Sequence, residues 1–154
     1  MCRLCWLLTG LFLASTLTLV YVFVVRGNTV PAADGRTAIV LSPGERDLVL
    51  GEMRDFLVAV QAITAATVEG DVGAVADAAR KVGATAQQGA PASLVGKLPL
   101  AFKQLGFDTH TRFDELAGNV QDFESTEPAL ADLAALMQNC TACHAAYRFE
   151  VEMQ

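Results

Sequence analysis

Residues 129–151 read ALADLAALMQNCTACHAAYRFEV, and this stretch decides the predicted fold. Residues that suit a protein core recur along it at steps of three and four, the repeat of one face of an α-helix. That face comprises Leu130, Leu133, Met137, Cys140, His144, Tyr147 and Val151. The stretch therefore predicts a long C-terminal helix in an all-α domain.

The same stretch contains Cys140-Thr141-Ala142-Cys143-His144, the Cys-x-x-Cys-His pattern of c-type haem attachment. In such sites two thiols bond to the haem and the imidazole binds its iron. Positions i, i+3 and i+4 share one face of a helix, so both sulfurs and the imidazole are predicted to meet one side of the porphyrin from the buried face. The sequence thus predicts one haem c, with His144 as an iron ligand.

Three other uses of the motif are a disulfide, a redox-active thiol pair and half of a zinc site. Redox-active pairs lie at strand-to-helix junctions of βαβ folds, and the sequence shows no βαβ alternation. A zinc site needs further ligands, and His110 is the one additional histidine. Haem attachment is the favoured interpretation.

Helix boundaries upstream are marked by capping residues. Ser42-Pro43 starts a first helix that Gly70 ends, Asp71 caps a second, a third starts near Pro99, and the turn 125–128 opens the fourth. The inner faces are predicted to comprise Leu50, Met53, Leu57, Val60, Thr64 and Val68; then Val72, Val75, Ala79, Val82 and Ala86; then Phe102, Leu105, Thr109, Phe113, Leu116 and Val120. Four such segments predict an antiparallel four-helix bundle that binds haem between its helices.

The N-terminal segment from Leu4 to Val25 contains no charged residue. At about 1.5 Å per residue it would extend roughly 33 Å as a helix, enough to cross a hydrocarbon layer of roughly 30 Å. A cleaved signal ending near Ala32 or Ala33 is the alternative, but signal apolar regions run only about 7 to 15 residues. We predict an uncleaved anchor.

The predicted organisation is therefore an anchor at residues 1–27, a linker at 28–41 and the bundle domain at 42–154. Residues 27–154 carry 9 basic and 17 acidic side chains, a net charge of −8. Such an acidic charge argues against a nucleic-acid partner, and it would instead steer basic redox proteins or keep the domain soluble. The predicted partners are redox proteins and the membrane.

The segment from Cys140 to Arg148 resembles the C-terminal signature of class II cytochromes c, of which cytochrome c prime is the best-known kind. The resemblance covers roughly residues 42–151. It implies thioether links at Cys140 and Cys143, His144 as the proximal ligand, and Arg148 close to the haem on that side. It also implies haem attachment outside a bacterial inner membrane, hence a periplasmic domain, and leaves a homodimer open.

The sixth iron position distinguishes two functions. A Met53 ligand would resemble the low-spin class II members, and Met ligation raises the reduction potential and favours electron transfer. Leu50, four residues after Arg46, would resemble the apolar residue that blocks this position in cytochrome c prime, whose five-coordinate iron binds nitric oxide or carbon monoxide. We predict Met53 as the ligand.

His110 lies one position beyond Thr109 on the third inner face, so a surface or capping role is predicted for it. The sequence also pairs no distal His with an Arg that would cleave a peroxide bond, which argues against a peroxidase. The predicted function is a membrane-anchored electron carrier rather than an enzyme.

Overall fold

The computed structural model describes residues 3–152, and the ends of the predicted anchor and domain at 1–2 and 153–154 lie outside this part. The helices are α1 (Arg3–Val20), α2 (Pro43–Glu69), α3 (Val72–Arg80), α4 (Ala92–Lys97), α5 (Leu100–Asp122) and α6 (Ala129–Ala146). The strands are β1 (Thr29–Pro31), β2 (Thr37–Leu41) and β3 (Tyr147–Val151). A π-helical segment (Tyr21–Arg26) extends α1, and a 3₁₀ segment (Ala84–Gly89) precedes α4. The chain is mostly helical, as predicted, but it is not purely so.

The N-terminal helical segment Arg3–Arg26 has 24 residues and a mean hydropathy of 2.1, and none of its most apolar stretch is buried. A helix of this length and composition is sufficient to span a membrane. The predicted apolar helix is therefore present.

The predicted start and end of the first helix and the predicted start of the second are confirmed by their caps. Ser42 and Glu45 form a capping box, in which the Ser42 backbone N–H donates to the Glu45 carboxylate at 2.9 Å. Gly70 ends α2 in the left-handed region at φ 73°. The Asp71 carboxylate then accepts from the Ala74 N–H at 2.9 Å and starts α3.

The main core lies where α3 packs against both α2 and α5, and where α5 packs against α6. The side chains of Phe113, Ile63, Leu116, Leu136, Val75 and Val120 are fully buried there. A second core beside the sheet contains Ile39, Leu41, Val49, Leu94 and Phe102. By contrast, α2 and α6 contact each other sparingly, which leaves their facing surfaces open.

The predicted inner face of the first helix is displaced from the observed one. The buried residues of α2 are Val49, Phe56, Ala59, Ile63 and Ala66. Leu57 and Val68, predicted as core, are 69% and 83% exposed. This part of the prediction was wrong, because α2 has two adjacent apolar rows and only one packs on α3.

The predicted linker at 28–41 is wrong, because this segment forms β1 and β2. The strands pair antiparallel, and β2 also pairs in parallel with β3. Ala38, Ile39 and Leu41 are buried by this pairing. Strand β3 lies more than a hundred residues beyond β2 in the sequence, and a search for helical periodicity cannot find such a pairing.

The last helix was predicted to continue through Tyr147 and Val151, but α6 ends at Ala146. Tyr147 and Phe149 alternate along β3, and both pack edge-on against Phe102, with ring centroids 5.4 and 5.8 Å away. Aromatic and β-branched residues at alternate positions favour a strand with one buried face. The backbone of 147–151 is accordingly paired with β2.

The second helix was predicted to reach Ala86, but α3 ends at Arg80. The Asp114 carboxylate accepts a hydrogen bond from the Ala84 N–H at 2.8 Å, and it lies where a side chain on Gly83 would be. This close approach starts the 3₁₀ segment and ends the straight course of the helix.

Replacement of Phe113 by alanine is expected to destabilise the fold strongly. Its ring is fully buried and stacked on Phe56 with centroids 5.5 Å apart. Phe→Ala at such a site costs about 3–5 kcal/mol in the free energy of unfolding. Phe123→Ala is the matched control, since Phe123 is 71% exposed and its loss should cost under about 0.5 kcal/mol. Chemical denaturation of both variants checks this, and equal effects would contradict the assignment of the core.

Candidate functional site

The Cys-x-x-Cys-His motif opens onto a cleft of about 410 Å³ between three helices. Protein sites for cofactors usually measure about 300–1,000 Å³ and are mostly apolar. One wall is α2, with Glu52, Met53, Phe56, Leu57 and Val60. The base is α5, with Phe102, Leu105, Gly106, Thr109 and His110, and the other wall is α6, with Met137, Asn139, Cys140, Thr141, Cys143 and His144. All three motif side chains thus line the same space.

The motif lies in the last turns of α6. Cys140 and Cys143 are half-buried, whereas His144 is exposed. The prediction that His144 lies on a buried face is therefore wrong for this structure, because α2 does not close over this part of α6. The exposed imidazole remains on the cleft side of the helix.

The two thiols are held in their neutral form. Burial raises the pKa of the Cys143 thiol to about 11, with a further contribution from the charge of Cys140, and burial also raises the pKa of Cys140. Catalytic and redox-active cysteines depend instead on a lowered pKa that favours the thiolate. This electrostatic setting disfavours a redox-active thiol pair.

The α6 wall is fixed to the base of the cleft by the residue before the motif. The Asn139 side-chain amide donates to the Asp108 carboxylate at 2.7 Å. Arg112 also donates to this carboxylate at 2.6 Å, and these two hydrogen bonds hold the pKa of Asp108 below its usual range. The bonds set the position of Cys140 relative to α5.

The opposite wall contains Met53, the predicted sixth ligand. Met53 is half-buried between the two apolar cores and lines the cleft, as do Leu57 and Val60. Three residues of the predicted inner face of α2, namely Met53, Leu57 and Val60, therefore face the motif across the cleft. Leu50 is half-buried too, but among residues 3–152 it does not belong to the lining of this cleft.

His110 is 3% exposed, so the surface role predicted for it is wrong. Its Nδ1 is 2.7 Å from the Val82 carbonyl oxygen and its Nε2 is 3.1 Å from a Glu52 carboxylate oxygen. Both neighbours are acceptors, so this geometry suits an imidazole that carries two protons. Burial lowers the pKa of His110, but Glu52 and the Val82 carbonyl together raise it above its usual value.

The buried face of α5 is wider than one row, and this explains the error. Thr109 and His110 are both buried, as are Leu116 and Ala117, because α5 contacts both α3 and α6. The burial of His110 had one signal in the sequence, which is its position next to the predicted inner row of α5. Nothing in the sequence pairs it with Glu52.

The free energy of unfolding is expected to fall as pH rises above about 6.5, the usual pKa of a histidine. The folded state raises the pKa of His110, so the stabilisation is complete below that pH and is lost as pH passes the folded pKa. His110→Phe should flatten this slope and, by leaving the Val82 carbonyl unpaired, cost about 1–3 kcal/mol. Urea titrations across pH measure both effects, and an unchanged slope in the variant would refute the assignment.

Arg148, predicted near the haem, lies on β3 rather than on a helix. Its guanidinium is 3.3 Å from the Asp34 carboxylate and 3.6 Å from that of Glu150. Asp34 also binds Arg36 at 2.7 Å, and Arg36 donates to the carbonyl oxygens of His144 and Tyr147 at 3.3 Å each. Within the described chain Arg148 is not part of the cleft lining, and these charges instead join the β1–β2 turn to the end of α6.

A larger cavity of about 510 Å³ lies on the other side of α2 and shares Glu52, Phe56 and His110 with the cleft. Its rim carries Asp47, Asp55 and Lys81, and no motif residue lines it. The His110–Glu52 pair, in which the Glu52 side chain is 40% exposed, therefore lines both cavities.

Comparison with known proteins does not identify a relative. No family model, curated protein or solved structure matches the chain. Within residues 3–152, no group of three or more His, Cys, Asp or Glu side chains is placed to hold a metal ion. Any assignment therefore depends on the motif and on its cleft.

Proposed function

We propose that this protein is a membrane-anchored c-type cytochrome of class II that carries one haem and transfers electrons. The observation that supports this most directly is the cleft between α2 and α6. It brings Cys140, Cys143 and His144 on one wall into the same space as Met53 on the other.

The residues of this cleft fit a covalently bound haem. Cys140 and Cys143 would form the two thioethers and His144 would bind the iron, while Met53 would supply the sixth ligand. Leu57, Val60, Phe102 and Leu105 offer an apolar lining that keeps water from the ring. Leu57 is 69% exposed on this wall, which suits a side chain whose contacts are made to a cofactor.

A bound haem supplies reversible one-electron chemistry at its iron. The role of the chain is to hold the iron with a neutral imidazole and a thioether, which together favour a raised reduction potential. The apolar cleft lowers the local dielectric constant and further disfavours the more highly charged oxidised form.

The proposal includes the architecture that accompanies this chemistry. Helices α2, α3, α5 and α6 contact in sequence around one core, an arrangement that supports a four-helix bundle with its cofactor between facing helices. The segment Arg3–Arg26 would cross the bacterial inner membrane, with the domain in the periplasm, where c-type haem is attached.

The function is tested with the full-length chain, produced in a host that matures c-type cytochromes and purified in detergent. We expect one haem per chain, a low-spin spectrum in both oxidation states, and reversible reduction by a soluble one-electron donor. A chain that takes up no haem would refute the proposal. High-spin iron that binds carbon monoxide freely would instead support the five-coordinate, gas-binding alternative with Leu50 at the distal face.

A further inference from the structure

The anchor is joined to the domain by specific contacts rather than by a flexible tether. At the end of the π-helical segment, the Lys103 ammonium of α5 donates to the carbonyl oxygens of Val24 and Phe23 at 3.2 and 3.4 Å. A cation at the C-terminal end of a helix is favoured by the unpaired carbonyls and the helix dipole. Lys103 therefore fixes the start of α5 to the end of the apolar segment.

A second contact joins the anchor to the connection between α4 and α5. Gly27 has φ +64°, and a side chain there would lie 2.4 Å from the Lys97 carbonyl oxygen. The next residue, Asn28, donates its backbone N–H to that same oxygen at 2.8 Å. This close approach is possible only for glycine. The residues that follow the apolar segment therefore contact the domain at once, without an intervening linker.

The sheet joins the anchor to the haem motif. Strand β1 begins at Thr29 and pairs with β2, which pairs with β3. Strand β3 follows α6 without a loop, since α6 ends at Ala146 and β3 begins at Tyr147. Tyr147 at the start of β3 pairs with Thr37, which pairs with Pro31. Neighbouring strands lie about 4.8 Å apart and each strand residue advances about 3.3 Å, so the end of the helix that carries the motif lies roughly 16 Å from Gly27, two strands across the sheet and four residues along the chain.

The cleft accordingly lies in the half of the domain that is nearer to the anchor. On α5 its lining runs from Phe102 to His110, within about 11 Å of Lys103 along the helix. The opposite end of α5 at Asp122 is roughly 28 Å from Lys103. There Thr126 contacts the Thr67 carbonyl at the far end of α2.

We infer that the anchor holds the domain in a fixed orientation with the haem cleft toward the bilayer, and that the electron-transfer partner is an integral membrane protein with its redox centre near the membrane surface. This inference rests on the proposed function. Electron transfer between proteins requires close approach of their redox centres, and a cleft that faces the bilayer is shielded from large soluble carriers. An integral membrane protein can reach the cleft by lateral diffusion in the bilayer.

The orientation is tested on the full chain in vesicles of phosphatidylethanolamine and phosphatidylglycerol that contain lipid with a nitroxide on its headgroup. A fluorescent amino acid replaces either Phe107, an exposed residue two turns into α5, or Phe123, an exposed residue just after the last residue of α5. Headgroup quenching reaches only the interfacial layer of the bilayer. We expect most of the fluorescence to be lost at position 107 and little at position 123, relative to vesicles without nitroxide.

The partner class is tested by insertion of a flexible Gly-Ser linker of about 20 residues between Arg26 and Gly27. Reduction of the haem by native membranes should slow by more than about tenfold, because the fixed placement is lost. Reduction by a small soluble donor should not change, which shows that the haem itself is intact. Equal quenching at positions 107 and 123, or an unchanged rate with native membranes, would overturn the inference. The quenching comparison needs no redox activity, so its failure is distinguishable from failure of the proposed function.

Discussion

Replacement of both Cys140 and Cys143 by serine is expected to abolish covalent haem attachment completely. A thioether needs a sulfur atom, and serine offers none at either position. The wild-type chain should keep the mass of one haem after denaturation, and it should stain for haem on a denaturing gel. The double variant should show the mass of the polypeptide alone.

Cys5→Ser is the matched control for this experiment. Cys5 lies in the apolar helix α1, outside the cleft, so its replacement should leave one haem per chain. Retention of a covalent haem in the double variant would contradict the assignment of the motif. A wild-type chain that lacks haem and is lighter by two hydrogen atoms, with that loss mapped to the peptide that contains Cys140 and Cys143, would instead identify the pair as a disulfide.

The helices could be predicted because their signals are local. Ser42, Gly70 and Asp71 act on backbone groups within a few residues, and each occupies the predicted cap in the structure. The inner face of α2 shows the limit of this reasoning. Periodicity locates an apolar face within about one position, whereas packing partners decide which of two adjacent rows is buried.

The sheet and the buried His110 could not be predicted because their determinants are distant in sequence. Strand β2 pairs with β3, and Arg36 contacts the carbonyl of His144, across more than a hundred residues. His110 finds its hydrogen-bond partners in Glu52 of α2 and in Val82 of the turn after α3. Such contacts follow from the tertiary fold, and the sequence immediately around each residue does not predict them.

The shape of the cleft differs from the predicted one. The motif and Met53 were expected to share a buried interface between packed helices. The structure instead leaves α2 and α6 apart, with Leu57 and His144 exposed on facing walls. Among residues 3–152, no other part of the polypeptide covers the apolar wall beside the half-buried thiol pair, and this is the strongest physical support for the proposed haem.

Replacement of Met53 by leucine is expected to convert low-spin iron to high-spin iron. Leucine keeps a similar volume, so the fold should lose less than about 1.5 kcal/mol, but it has no thioether to bind iron. The reduction potential should fall by an amount on the order of tenths of a volt, because axial ligands control it. Electron paramagnetic resonance, optical spectra and a redox titration of the full chain measure these changes.

Met137→Leu is the matched control, because Met137 lines the same cleft from α6 and is 38% exposed. Met137 shares α6 with His144, so it is on the proximal wall and its loss should leave the spin state unchanged. If Met137→Leu rather than Met53→Leu alters the spin state, the sixth ligand is misassigned. If wild-type iron is already high-spin, Met53 is not a ligand.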